Sequence, residues 1–276
     1  MIELPEAFTI ARQMTAELRG RRIQSGNRGN SPHKFAFYSR SSEEYEAILP
    51  GKRVGESVAH GTNILTPLDP GCFLVLGGGG ERILFHEDEK SLPKKYQLLL
   101  RFEDGAHLSV SIQGWGSAML LESPELKVHP HLRAKGPSPL SDEFTYDYFR
   151  GLFEGIPEGD PRAIKYFLIS EPGVWGLGNG YTQDILFRAG IHPRRRAVDV
   201  SEDGRRSLYR AVREVLAEAT ELGGRDSEKD LYGRPGGYKR VLDSKAVGKP
   251  CPLCGTTIEK IQFLGGASYF CPGCQR

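Results

Sequence analysis

The sequence has little that would suit an extracellular or membrane setting. Cysteine is scarce, at five in 276 residues, as are methionine at three and tryptophan at two. Cys72 stands alone and the other four lie between Cys251 and Cys274, so no disulfide framework is spread over the chain. No apolar run reaches the roughly 18 residues of a membrane span, and no signal-peptide core is present. The expectation is a soluble cytoplasmic chain with no membrane partner. Charge of one sign is also missing: 37 Lys and Arg face 35 Asp and Glu, a net +2. Any surface for a polyanion must therefore come from segregation of charge. The 38% of hydrophobic residues can fill a core, and the length allows more than one domain.

The crowded cysteines form two knuckles, Cys251-Pro252-Leu253-Cys254 and Cys271-Pro272-Gly273-Cys274, with sixteen residues between them. Four thiolates at this spacing suit one tetrahedral, structural Zn²⁺ with no open coordination position. Ile258, Ile261, Phe263, Tyr269 and Phe270 fit an intervening hairpin that depends on the metal. Alone, such a ribbon suits nucleic-acid contact or protein contact.

Gly176-Leu177-Gly178-Asn179-Gly180 cannot be helix interior, because each glycine there costs about 1 kcal/mol relative to Ala. A turn is expected, then a helix carrying Tyr181, Ile185 and Leu186 and ending at Gly190 before Pro193. A glycine turn opening a helix is a phosphate site or a plain interhelical turn. Asn179 could cap the helix or donate to a phosphate.

At the amino terminus, Phe8, Ala11, Met14 and Leu18 recur at helical spacing up to Gly20. Pro5 and Glu6 suit a first helical turn, so Glu3 and Glu6 could merely decorate a helix start. From Ile23 to about Leu121 the chain reads as short strands, among them 35–38, 72–76, 96–102 and 107–112, with a hairpin turn at Glu103-Asp104-Gly105. This predicts a β-sandwich. Gly136-Pro137-Ser138-Pro139-Leu140 is a linker. Helices follow, with apolar stripes at Phe144, Tyr148, Phe149, Leu152 and Phe153, over 162–169, and over 207–222.

The string from Lys165 and Leu168 through the glycine turn to Asp184–Phe187 and Gly190–Pro193 resembles the helix–two-turn–helix of the formamidopyrimidine/endonuclease VIII family of DNA glycosylases. Glu3-Leu4-Pro5-Glu6 resembles that family's amino terminus, and Lys249-Pro250-Cys251 through Cys274-Gln275 its terminal finger. The resemblance spans nearly the whole chain. It implies an α+β fold in three segments. Residues 1–130 would form a helix and β-sandwich, 131–236 a helical DNA-binding domain, and 237–276 a zinc hairpin. It implies a monomeric, nucleoid-associated protein acting on double-stranded damaged DNA in base-excision repair. Its activity would be removal of a damaged base, with abasic-site lyase activity in addition if an amine attacks. The alternative is a catalytically impaired protein that binds lesions or distorted DNA. A protein-binding zinc ribbon on a helical scaffold is a third.

The resemblance also assigns roles. Glu3 and Glu6 would be acid/base groups, with the Met1 amine or water as nucleophile. Lys165, Asn179, Gly176 and Gly178 would clamp phosphate. Gln113 and Trp115 would hold the place of an extruded nucleotide, unless Trp115 is a core residue. Arg188, Arg194, Arg195 and Arg196 would track the backbone, and 223–238 would be a loop over the extruded base. Four departures accompany this. Ile2 replaces the family's terminal proline, so Met1 is expected to remain and its amine to lie about 3.8 Å further out. Thr62, in His60-Gly61-Thr62-Asn63, replaces a lysine. Gly77–Gly80, a flexible turn or a backbone approach to DNA, replaces a segment bearing a methionine wedge. Gly266 replaces the finger arginine, though Lys260 remains. Lys94, Lys95, His33 and Lys34 are either replacement phosphate contacts or ordinary solvated charges.

Overall fold

The computed structural model describes residues 1–276 except His131, Ala134, Lys135 and Gly265. Residue 131, the expected start of the second segment, thus lies outside the described residues. The chain forms two compact units, Met1–Ala134 with Thr220–Tyr238 and Lys135–Ala219 with Lys239–Arg276.

The first unit begins with α1 (Leu4–Leu18), whose start is a reciprocal capping box between Glu3 and Glu6, with Pro5 in the first turn. Ala7, Ile10, Ala11, Met14 and Leu18 make its buried stripe. Phe8, expected on that stripe, is 45% exposed, because it lies one residue and about 100° round the helix from Ala7.

Strands β1 (Ile23–Arg28) and β2 (Ala36–Phe37) follow, then α2 (Ser42–Ile48), β3 (Arg53–Val54), β4 (Val58–His60), β5 (Asn63–Asp69), β6 (Cys72–Gly77), β7 (Glu81–His86), β8 (Leu98–Phe102), β9 (His107–Ile112), β10 (Gly116–Glu122) and α3 (Ser123–Val128). One sheet has the order β1-β8-β9-β7. The other runs β2-β10-β6-β5-β3, with β4 on β5. The expected turn at Asp104-Gly105 joins β8 to β9, with Gly105 at φ +88°. Strand alternation sets the layers. Leu98, Leu100, Phe102, Leu108 and Val110 from one sheet share a core with Ile64, Leu74, Leu76, Ala118 and Leu120 from the other, and with α1. Leu65, Val75, Met119 and Leu121 form a second cluster with Leu132.

The segment expected to be a loop over the extruded base, 223–238, packs within this unit. Leu231 joins the core, and its carbonyl accepts from the Phe85 amide. Asp230 accepts from Gln13 of α1, and the Tyr232 hydroxyl donates to Glu17.

The second unit contains α4 (Tyr146–Glu154), α5 (Ile164–Ile169), α6 (Asn179–Ala189), most of α7 (Glu202–Glu221), and the hairpin β11 (Glu259–Phe263) and β12 (Gly266–Phe270). The predicted aromatic stripe is its core: Phe149 packs edge-on to Phe153 and Phe167, and Phe144 stacks on Tyr209. Helix α7 starts five residues before Ser207. Gly190 caps α6 in the left-handed region at φ +70°, as expected. The buried carboxylate of Asp184 accepts from the Val241 and Leu242 amides, tying the segment before the cysteines to α6.

Candidate functional site

The amino terminus is built into a buried ionic array. Glu3 and Glu6 are each 2% exposed, and both face the guanidinium of Arg225, itself 3% exposed. Arg225 Nη1 donates to Glu3 Oε1 at 3.0 Å and Nε to Glu6 Oε1 at 3.2 Å. Its backbone N–H donates to the same Glu6 oxygen at 3.0 Å, and Nη2 donates to the Met1 carbonyl at 2.5 Å. The Met1 ammonium pairs with Glu228 at 2.8 Å. Nothing in the sequence marks Arg225 or Glu228, which sit in a polar, glycine-rich stretch more than 200 positions from the amino terminus.

Ile2 is buried in the core, and its N–H donates to the Gly79 carbonyl at 2.8 Å. With Met1 in place, the nitrogen of residue 2 is therefore an amide already engaged. The terminal amine is that of Met1, one residue before it.

In Gly77–Gly80, Gly77 and Gly79 are buried and Gly78 and Gly80 half-buried. A Cβ on Gly79 or Gly80 would strike the carbonyls of Trp115 or Gln113. Glycine is needed for that approach. Gly80 N–H donates to the Trp115 carbonyl, and Gln113 N–H donates back to Gly80, both at 2.8 Å. Glu81 fastens the same turn by accepting from the amides of Gly79 at 2.9 Å and Ser117 at 2.6 Å. Burial pushes the Glu81 carboxyl above its ordinary range. On this rigid support Gln113 is exposed and the Trp115 indole is 47% exposed, so Trp115 is not a core residue. Phe35, whose carbonyl accepts from the Gly116 amide, is exposed beside it. Lys34, Lys94 and Lys95 are exposed and His33 is half-buried. Thr62 contributes its carbonyl, to the Gly78 amide.

In the second unit, Gly176 and Leu177 are buried, and Gly178, Asn179 and Gly180 are half-buried. Gly178, not Asn179, is the N-cap of α6. Asn179 is the first helical residue, and its side chain turns to the hairpin. Nδ2 lies 3.4 Å from the Ala267 carbonyl, and Oδ1 accepts from Gln183.

Lys165 requires a correction. Expected as a phosphate clamp, its side chain is wholly buried and donates to the Phe263 carbonyl at 3.0 Å and Ser268 Oγ at 2.8 Å. Burial lowers its pKa. It props the hairpin from beneath. We expect Lys165→Ala to remove the donor to the buried Ser268 hydroxyl and the part-buried Phe263 carbonyl and to cost about 2–4 kcal/mol. Calorimetric unfolding checks this as a lower midpoint.

The arginine cluster also divides. Arg188 pairs with Glu218 and Arg196 with Asp199, while Arg195 donates to the Asp199 carbonyl. Arg194 is exposed and lies over the Phe263 ring, 5.3 Å from its centre, so it brings positive charge to the hairpin where Gly266 has none. Leu264, at φ +55° and 44% exposed, stands at the hairpin tip.

The sulfurs of Cys251, Cys254, Cys271 and Cys274 all lie within 4.8 Å of one another. Cys251 and Cys274 are 3.7 Å apart, and Cys254 and Cys271 3.5 Å. Zn–S bonds of about 2.3 Å at tetrahedral angles require about 3.8 Å. The donor set fits one structural Zn²⁺. Gln275 fastens it to the end of α6 by accepting from the Cys271 amide and donating to the Ile191 carbonyl.

Known proteins share each part of this frame. The family model of the formamidopyrimidine-DNA glycosylase N-terminal domain matches residues 1–113, that of its H2TH domain 135–230, and that of a zinc finger found in FPG and IleRS 248–276. The formamidopyrimidine-DNA glycosylase of Bacillus licheniformis is 31% identical over the full length of both chains. This chain belongs to the formamidopyrimidine-DNA glycosylase family. The Thermus thermophilus glycosylase is 32% identical, covering all of this chain and 98% of its own. A crystal structure of the FPG protein from Thermus thermophilus superposes with a TM-score of 0.82 at 31% identity, over 99% of this chain and 98% of that one. The Lactococcus lactis glycosylase, crystallised with DNA containing an abasic site, gives 0.84 at 25% identity over 99% of each chain. In this chain Ile2 packs into the core and Arg225 lies across both carboxylates.

Proposed function

We propose that this chain is a damaged-base DNA glycosylase of base-excision repair, acting as a cytoplasmic monomer on double-stranded DNA. The supporting observation is the pairing of Glu3 and Glu6 at the start of α1, beside a terminal amine, in a chain related over its whole length to formamidopyrimidine-DNA glycosylases. Glu3 takes the acid/base role at the sugar, and Glu6 holds Glu3 through the capping box. Trp115 and Gln113 take the place of the extruded nucleotide. Arg194 and the hairpin contact phosphate.

The nucleophile is the Met1 amine or water. The amine forms a C1′–N bond as the base leaves with its bonding electrons, and the nitrogen gives a proton to Glu3; the C1′–O4′ bond then breaks, the sugar oxygen takes up a proton, and the nitrogen lone pair forms the C1′=N iminium that borohydride reduces to a covalent adduct. Water forms a C1′–O bond and passes its proton to a carboxylate, leaving an intact abasic strand. A panel of duplexes carrying oxidised purines, oxidised pyrimidines or an abasic site, assayed with and without borohydride, separates the two. Base release from at least one lesion duplex is the expected result. Absence of release from all of them overturns the reading.

Arg188, Arg195 and Arg196 are engaged within the protein, so salt dependence is moderate. About four phosphate contacts predict an affinity loss of about 10²-fold between roughly 50 and 200 mM salt. Fluorescence anisotropy on a lesion duplex measures the slope.

A further inference from the structure

Arg225 sits where the amino terminus and both carboxylates meet. Gly224 lets its backbone come close, since a Cβ there would lie 3.0 Å from the Glu6 side chain. The guanidinium then reaches Glu3, Glu6 and the Met1 carbonyl at once. On the other side of the same peptide, Ile2 N–H is held by Gly79. The Met1–Ile2 peptide is thus gripped at its oxygen by Arg225 and at its nitrogen by the glycine run that supports Trp115. Two buried carboxylates joined by one capping box repel each other unless a cation lies between them. A guanidinium does this with a rigid fork of donors and gives up no proton itself.

We propose that Arg225 is the positioning residue of the excision site: it locks the Met1–Ile2 peptide against Gly79 and fixes the Glu3–Glu6 pair in one orientation. The proposal rests on the glycosylase reading above. Arg225 touches no reacting atom and acts through Glu3. A lysine replaces it poorly, because its three donors radiate from one nitrogen, whereas the guanidinium spreads donors from three nitrogens over Glu3, Glu6 and the Met1 carbonyl.

The test uses full-length, zinc-loaded Arg225→Ala and Arg225→Lys, with guanidinium ion at tens of millimolar as a rescue agent. For Arg225→Ala we expect kcat for base release to fall about 100-fold with KM within threefold, and guanidinium to restore it at least tenfold. Arg225→Lys should recover less than the rescued alanine variant. Amide exchange at Ile2 should quicken at least tenfold in Arg225→Ala, and guanidinium should slow it again. Parental kcat in either folded variant overturns the proposal. A loss that falls on KM, or that guanidinium does not rescue, also overturns it, because a merely structural arginine predicts that pattern. If the alanine variant does not fold, the lysine variant decides by the same kcat and exchange readings. A parent inactive on every lesion duplex would instead sink the glycosylase reading. Ile2 exchange, which needs no DNA, would then judge the lock alone, and parental exchange in the variants would overturn it.

Discussion

Glu3→Gln lowers single-turnover base release from a lesion duplex by about 10²–10⁴-fold, the range of a lost general acid/base. Duplex affinity changes by no more than a few-fold. Gln keeps the length and an oxygen that can accept from Arg225 Nη1, so the array and the start of α1 survive. What disappears is the charge that receives a proton at the sugar. Glu6→Gln has a different signature. Glu6 accepts from the Glu3 backbone and from Arg225 at both its guanidinium and its amide, so its loss disturbs folding as well as rate. A thermal midpoint measured beside the rate separates the two residues. If Glu3→Gln released base at the parental rate, the catalytic assignment would be wrong.

Removing the metal has the second large effect. Chelation, or Cys271→Ser, should unfold the ribbon and reduce lesion-duplex affinity by more than about 100-fold, since structural zinc supplies about 10–16 kcal/mol of folding free energy in isolated fingers. The damage spreads along named contacts. Lys165 loses Phe263 and Ser268, Gln183 loses the Ala267 carbonyl, and the Gln275 link to Ile191 opens. Hydrogen exchange should rise over 251–276 and in α5 and α6, while the two sheets keep their protection. Anisotropy and exchange on the same apo sample check both halves. Unchanged affinity without zinc would remove the hairpin from the DNA-binding surface.

Legibility from sequence followed the range of the interactions. The zinc site needs only two short spacings and was readable outright. So were Gly190, where a left-handed cap suits glycine, and the Asp104-Gly105 turn between β8 and β9. In α1 the expected Ala11, Met14 and Leu18 are buried and only Phe8 is not, because Phe8 and Ala7 both fit a helical period and packing decides which faces inward. Lys165 looked like a surface cation beside a phosphate turn, yet its acceptors, Phe263 and Ser268, are about a hundred positions away. Gly77–Gly80 reads the same in sequence whether it is slack or pressed against a neighbouring turn, and the carbonyls of Gln113 and Trp115 settle that. Arg225 was hidden for the same reason: its partners belong to the opposite end of the chain.

The most direct measurement is detection of the freed base itself. Lesion-bearing and undamaged duplexes of one sequence are incubated with the zinc-loaded protein at low ionic strength, and the small-molecule fraction is read by mass spectrometry. The account predicts a damaged base released from the lesion duplex, none from the undamaged one, and loss of the signal with Glu3→Gln. No freed base from any lesion duplex, with the protein folded and metal-loaded, would contradict it.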